Sequence, residues 1–402
     1  MIGCTKLLCG TATIGEALNY SRAEAQHAPA HLLQFTTQDR PLVVWNMTRR
    51  CNLRCLHCYI RADDRPADEL TTSEARTMID DLAAVGCPVL LFSGGEPCLR
   101  GDLAELGRYA VSKGLRAVVS SNGTIIDAKL AGELADAGLS YVGISIDGAP
   151  ATHDQFRQRE GAFDAALRGI RNCVEAGLKA GVRFTLTRHN ADELEGILDI
   201  IERERVPRFC MYHLVYAGRG ADMIADDVGP QGSRAAVELL MQRAIEWHRR
   251  GLPIEILTTD NHADGVLIER YVREHDPGRL EEVQQLERRH GGCSAGRKFA
   301  NIDAAGNVHP CQFWQHVSLG NVRERPFSAI WADGSNGLLS KLRRMPEPVT
   351  GRRCSRCRHN AICGGCRIRA EAVHADTWAD DPACYLSDEE IGIVECGVRS
   401  AE

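Results

Sequence analysis

The sequence predicts an α/β chain: a partial (β/α)6 barrel followed by a C-terminal cysteine-rich module. Six short β-rich runs alternate with amphipathic helical patterns at regular spacing. Unusual residues gather just beyond the C-terminal ends of those runs, where α/β folds bind their ligands. After about Arg289 the rhythm stops, and scattered Cys, Gly, Arg and Pro take its place.

The runs that read as strands are Leu42–Met47, Val89–Phe92, Arg116–Ser120, Tyr141–Ile146, Gly181–Thr187 and Phe209–Val215. The helices between and after them read as Ser73–Val85, Asp102–Ser112, Ala128–Ala137, Ala162–Ala176, Ala191–Glu204 and Arg234–Arg249. The strand ends lead into Thr48, Ser93–Gly95, Ser121–Gly123, Asp147–Gly148, Arg188–His189 and Tyr216–Gly220. Six such units leave the barrel open on one side, with room for a large substrate. The expected division is an N-terminal extension (1–38), the barrel (39–250), a helical connection (251–290) and the cysteine-rich module (291–402). That last segment has few long apolar runs and needs staples such as metal clusters.

Of the 402 residues, 44% are hydrophobic and 25% charged, enough for a sizeable core. Net charge is −6 and Lys and Arg are scattered, so nucleic-acid binding has no electrostatic footprint. No stretch approaches the ~18 apolar residues of a membrane span, and Met1–Gly10 does not read as a secretory signal. The expectation is a cytoplasmic protein with neither nucleic-acid nor membrane partners. Seventeen cysteines, an odd count without a signal peptide, argue for metal ligation over a disulfide framework.

Spacing sorts them. Cys51-Asn-Leu-Arg-Cys55-Leu-His-Cys58 follows the first strand. Three cysteines cannot close a tetrahedral zinc site unless a fourth ligand, such as His57, joins them; they can hold three irons of a [4Fe–4S] cluster and leave the fourth open. Gly94-Gly95-Glu96-Pro97 ends the second strand. Its glycines would let a ligand approach the backbone, and Glu96 could accept a ligand ammonium. In the C-terminal module, Cys354-x2-Cys357-x5-Cys363-x2-Cys366 brings its two pairs too close for a zinc ribbon, which separates them by roughly 12–20 residues.

On these residues the chain resembles the radical S-adenosylmethionine (SAM) superfamily. The resemblance implies a cluster on Cys51, Cys55 and Cys58, with SAM chelating the open iron. Reductive cleavage of SAM then gives a 5′-deoxyadenosyl radical that abstracts a substrate hydrogen. It also implies that Tyr59 lies by the adenine and that Gly94, Gly95 and Glu96 meet the methionine amino group. Ser121, Asn122, Ser145 and Asp147 fall near the ribose and carboxylate, and Arg157 by the SAM carboxylate. Cys293-x12-Gly306-x4-Cys311 with the later group and Cys384 resembles the SPASM extension. By motif position, Cys354, Cys357, Cys363 and Cys384 bind one auxiliary [4Fe–4S] cluster, and Cys293, Cys311 and Cys366 another. Two departures stand out. Only Gly364 and Gly365 precede Cys366 where the family has three residues, and no cysteine lies between Cys210 and Cys293.

Further stretches are similar to the tetrapyrrole-tailoring enzymes of the alternative heme pathway and of heme d1 synthesis. They include Val44–Arg50, Tyr212–Gly220, Asp260–Gly265, Gly306–Pro310 and Gly320–Phe327. Retention of Cys293, Cys311 and Cys366 resembles the heme b synthase branch, which implies oxidative decarboxylation of two iron-coproporphyrin III propionates to vinyl groups. The alternatives are a didecarboxysiroheme deacetylase, a heme d1 enzyme, or a peptide maturase of the same layout. The implied partners are a tetrapyrrole and an electron donor such as flavodoxin or ferredoxin. Candidates for the tetrapyrrole side are His213, Tyr216, Arg219 and His262, since carboxylates favour Arg and iron or edge polar atoms favour His or Tyr.

Overall fold

A computed structural model describes residues 1–10, 40–63 and 68–393. Its strands, in chain order, are β1 (Ile2–Gly3), β2 (Leu42–Asn46), β3 (Val89–Ser93), β4 (Arg116–Ser121), β5 (Tyr141–Ser145) and β6 (Ala180–Leu186). They continue with β7 (Arg208–His213), β8 (Glu255–Thr259), β9 (Phe299–Ile302), β10 (Asn307–His309) and β11 (Gly320–Asn321). One sheet holds them all, in the order β1-β8-β7-β6-β5-β4-β3-β2-β9-β10-β11.

From β2 to β8 every neighbour is parallel, as crossover helices require. Six of these strands coincide with the six apolar runs. The seventh, β8, lies in the stretch expected to be a helical connection; five apolar-rich residues are too few for periodicity to separate strand from helix. The module after Arg289 does not stand apart either. β9 pairs in parallel with β2, and β10 and β11 add antiparallel hairpins to the same sheet. The N-terminal residues, expected to be an extension, close the opposite edge: Ile2 and Gly3 pair with Thr258 and Leu257, and Thr5 Oγ1 accepts a hydrogen bond from Ile256 N at 2.9 Å. The remainder of the expected extension, 11–38, lies outside the described residues.

Side chains alternate across each strand. On β6, Ala180, Val182, Phe184 and Leu186 are buried on the helix-covered face, and Gly181, Arg183 and Thr185 face the barrel interior. Helix Ala162–Glu175 shows why the layers fit. Phe163, Ala166, Leu167, Ile170 and Cys173 form its buried stripe, and Gly169 packs on the turn after β4, where a Cβ would lie 2.3 Å from Gly123 O. Helix Thr72–Val85 begins with a capping box between Thr71 and Glu74 and stops at left-handed Gly86.

The C-terminal part has short helices, Phe327–Trp331, Gly337–Arg343, Arg367–His374 and Asp388–Ile391, joined by irregular chain. Two fully buried arginines, Arg367 and Arg369, fasten it. Arg367 donates to Thr377 O and Ala379 O at 3.0 and 2.8 Å. Among the described residues no helix is long and apolar enough to cross a membrane.

Candidate active site

The loop leaving β2 carries Cys51 and Cys55, both buried, and the half-buried Cys58. All sixteen described cysteines are free thiols. Each sulfur of this loop receives a donor: Leu53 N on Cys51 at 3.4 Å, Ala62 N on Cys58 at 3.3 Å, and Arg157 Nη1 on Cys55 at 3.3 Å. Such contacts favour thiolate over thiol and suit cluster ligation. Burial pushes the Cys51 thiol up to about 12.

Gly94 and Gly95 are required by the chain itself. A Cβ on Gly94 would lie 2.5 Å from Thr48 O, and one on Gly95 2.1 Å from Arg50 O. Gly95 N and Glu96 N each donate to that strip, to Thr48 O and Arg50 O at 2.8 Å. Within the chain, the body these glycines admit is the start of the cysteine loop. Glu96 is fully buried, and its carboxylate accepts from Ser121 Oγ (2.8 Å), Asn122 N (2.7 Å) and Cys98 N (3.0 Å). These bonds shape the turn after β4. Asn122 passes the restraint on, donating to Asn52 Oδ1 at 2.8 Å beside Cys51. Ser121 Oγ accepts from Gly123 N at 2.9 Å.

After β5, whose last residue Ser145 sits opposite Arg183, Asp147 is fully buried. Its Oδ1 accepts from Thr185 N at 2.9 Å, and its Oδ2 pairs with Arg157. Burial would raise this carboxyl, but Arg157, His57 and His153 around it hold it below its ordinary range. Arg157 therefore links Asp147 to the Cys55 sulfur and is a buried residue. Tyr59 donates to Asn46 Oδ1 at 2.8 Å, and its ring meets Phe313 edge-on at 5.3 Å.

The four candidates for the tetrapyrrole side each have contacts within the protein, while Arg219 Nη2 and His262 Nδ1 are buried without a hydrogen-bond partner. Arg219 donates to Cys55 O (2.8 Å) and Ala62 O (3.2 Å), clamping the cysteine loop. His213 pairs with Asp264 at 3.0 Å, and Tyr385 donates to the other Asp264 oxygen at 2.8 Å. Tyr216 donates to Asp227 Oδ2 at 2.8 Å. His262 packs against His290, ring centroids 5.3 Å apart, and burial lowers it to about 3. Which groups a loop His or Arg meets within the protein is settled by elements distant in sequence. The barrel interior, not singled out from sequence, holds the polar side chains Ser120, Tyr141, Arg183, Arg208 and Tyr212. The available signal was Arg183 itself, an arginine inside an otherwise core-like strand.

In the C-terminal module, Cys354, Cys357, Cys363 and Cys384 line one pocket. Main-chain N–H groups of Asp381, His359, Gly365 and Leu386 respectively face their sulfurs. The four thiols line a common cavity, a donor set that fits a [4Fe–4S] cluster. Cys311 lies within electrostatic reach of Cys293 and Cys366, and Cys293 N donates to Cys363 O at 3.3 Å, so the two thiol groups are neighbours. Beside the second group, Asp260 Oδ2 is buried without a hydrogen-bond partner. Donor chemistry and enclosure both fit iron–sulfur clusters.

The Radical SAM superfamily model matches residues 45–201, and that of the SPASM iron-sulfur cluster-binding domain matches residues 293–366. Fe-coproporphyrin III synthase of Methanosarcina barkeri is 50% identical, over 98% of this chain and all of its own. Pre-heme d1 synthase of Dinoroseobacter shibae is 43% identical over 88% of each chain. AdoMet-dependent heme synthase of M. barkeri is 33% identical over 85% of this chain and 95% of its own. The crystal structure of Streptococcus suis SuiB bound to S-adenosylmethionine superposes with a TM-score of 0.69 at 18% identity, covering 90% of this chain and 82% of that one, a likeness of fold.

Proposed function

Because the chain belongs to the radical SAM superfamily, carries a SPASM domain and has its relatives in heme synthesis, we propose that it forms Fe-coproporphyrin III from a more highly carboxylated tetrapyrrole, didecarboxysiroheme. It is a radical SAM enzyme of heme biosynthesis, with SAM and [4Fe–4S] clusters as cofactors. The observation that carries the finer reading is the 50% identity with Fe-coproporphyrin III synthase along the full length of both chains, against 33% with a heme synthase. This weighting favours the deacetylase branch over the decarboxylase that the cysteine pattern alone put first. Decarboxylation of iron-coproporphyrin III is the second reading, favoured by the retention and adjacency of Cys293, Cys311 and Cys366.

The clusters supply electrons, and SAM supplies the hydrogen-abstracting radical. This chain's own residues hold and shape. Cys51, Cys55 and Cys58 hold the SAM cluster. Cys354, Cys357, Cys363 and Cys384 hold one auxiliary cluster, and Cys293, Cys311 and Cys366 the other. The strand-end loops of Gly94–Glu96, Ser121–Asn122 and Ser145–Asp147, with Tyr59, form the SAM bed. Glu96, Asn122, Asp147 and Arg157 also fix these loops through hydrogen bonds and an ion pair within the protein. Flavodoxin or ferredoxin as electron donor and a cytoplasmic setting complete the proposal.

The test is mass spectrometry of anaerobic reactions with SAM and dithionite. Conversion of didecarboxysiroheme to Fe-coproporphyrin III, with loss of acetate side chains, supports the proposal. Consumption of iron-coproporphyrin III with loss of carbon dioxide moves the protein to the second reading. Turnover of neither tetrapyrrole defeats both.

A further inference from the structure

At the centre of β6, Arg183 lies between Val182 and Phe184, both buried against the helices, so its side chain enters the barrel. Glycine makes the space. A Cβ on Gly143 would lie 2.8 Å from Arg183 Cδ, and one on Gly181 2.3 Å from Tyr141 OH. The guanidinium has three hydrogen bonds, all to neutral hydroxyls: Nε and Nη2 to Tyr212 OH, and Nη1 to Ser120 Oγ. It also lies 4.8 Å from the Tyr212 ring centroid. Among the described residues no Asp or Glu pairs with it within 4.0 Å.

The surrounding charges sharpen the point. On the barrel floor, Glu255 is shared by Arg208 at 2.5 Å and Lys179 at 3.6 Å, and Arg116 donates to Ser140 Oγ at 2.9 Å. Among the described residues Glu255 is thus engaged by Arg208 and Lys179. The Arg183 charge reaches Tyr59 of the cysteine loop on one side, and Cys210 and Asp260 on the other. An enclosed guanidinium without an anion is costly, and its fork geometry matches a carboxylate in particular.

We propose that Arg183 anchors one side-chain carboxylate of the tetrapyrrole, its free N–H donors taking the two oxygens while Tyr212 and Ser120 hold the guanidinium in place. This rests on the reading of the enzyme as tetrapyrrole-directed. It identifies the recognised group as a carboxylate edge at the barrel centre.

The experiment measures binding of iron-coproporphyrin III and of its tetramethyl ester to the full-length, cluster-loaded protein, by tryptophan fluorescence quenching. Wild type, R183Q and R183K are compared at matched iron content, which shows that the variants have folded. The expected result is that wild type prefers the acid to the ester. R183Q then loses about 10- to 100-fold for the acid, the worth of a charge-assisted hydrogen bond, and little for the ester, and R183K falls between. If wild type prefers the acid but R183Q binds it equally well, the anchor assignment is overturned and the tetrapyrrole reading stands. If wild type binds neither compound, both fall. Because SAM also carries a carboxylate, its affinity is measured in parallel; a loss confined to SAM overturns the assignment to the tetrapyrrole.

Discussion

Asp381→Asn tests what holds the two C-terminal thiol groups in register with the barrel. Asp381 accepts from Arg369 Nε and Nη2, each at 2.9 Å, from Cys366 N at 2.7 Å and from Ala383 N at 3.1 Å. Both side chains of the pair are essentially unexposed. Arg369 extends the link, donating to Leu214 O at 3.2 Å and Asp260 O at 2.6 Å beyond β7 and β8. Asparagine keeps the shape but turns one acceptor into a donor. That donor must then face Arg369 or a main-chain N–H, and the guanidinium is left without its counter-charge. Removing one partner of a buried pair costs about 3–5 kcal/mol. The assay is anaerobic urea unfolding of the cluster-loaded protein by circular dichroism, with iron counted per chain. The variant should lose stability by that amount and shed iron, since the Cys366 amide loses its anchor. The double variant Arg369→Met with Asp381→Leu should be destabilised by less than the two single changes added together. A loss below about 1 kcal/mol with full iron content would refute the reasoning.

Three other outcomes are expected. Replacing Cys51, Cys55 and Cys58 together by Ala should lower iron per chain without abolishing it, and total loss would count against independent auxiliary sites. Gly95→Ala should reproduce that partial iron loss, because its Cβ would overlap Arg50 O at the start of the loop; unchanged iron would show that the turn can move. Lys179, buried and lowered to about 8 by desolvation with further pressure from Arg208, is charged in both folded and unfolded chains below that pH, so its cost is fully present there. The cost fades as pH rises from about 8 toward the ordinary lysine value of about 10.4. Lys179→Met should therefore be the more stable protein at pH 7, with the gap narrowing by pH 10 in paired denaturation curves.

Local patterns were readable in the sequence and long-range pairings were not. The six parallel strands stand out because Val, Ile and Phe runs alternate with helices of the right length. β8 and β9 escape notice because each is short and takes its identity from a neighbour far along the chain. The thiol grouping at Cys354, Cys357 and Cys363 follows from spacing alone, whereas the arrival of Cys384 at the same pocket rests on a tertiary turn. His213, Tyr216, Arg219 and His262 sit on the binding edge as their positions suggest. Their partners are Asp264, Asp227, the Cys55 carbonyl and His290, and nothing in a linear pattern names those. Arg183 shows the converse. Val182-Arg183-Phe184 breaks the apolar run of a central strand, and two-residue alternation alone would have sent that charge into the barrel.

The parallel pairing of β2 with β9 bears on how such an enzyme can be altered. The Cys51 loop leaves one of these strands, and the stretch to Cys311 leaves the hairpin begun by the other. The offset between the two redox regions is therefore ruled by strand spacing, about 4.8 Å per step, like marks on a common scale. A chimera that borrows a relative's C-terminal module must splice at matching rungs, Val43 opposite Ala300 and Trp45 opposite Ile302. A graft displaced by one residue would reverse which side chains of β9 face the barrel, and every thiol downstream would be carried to a new address.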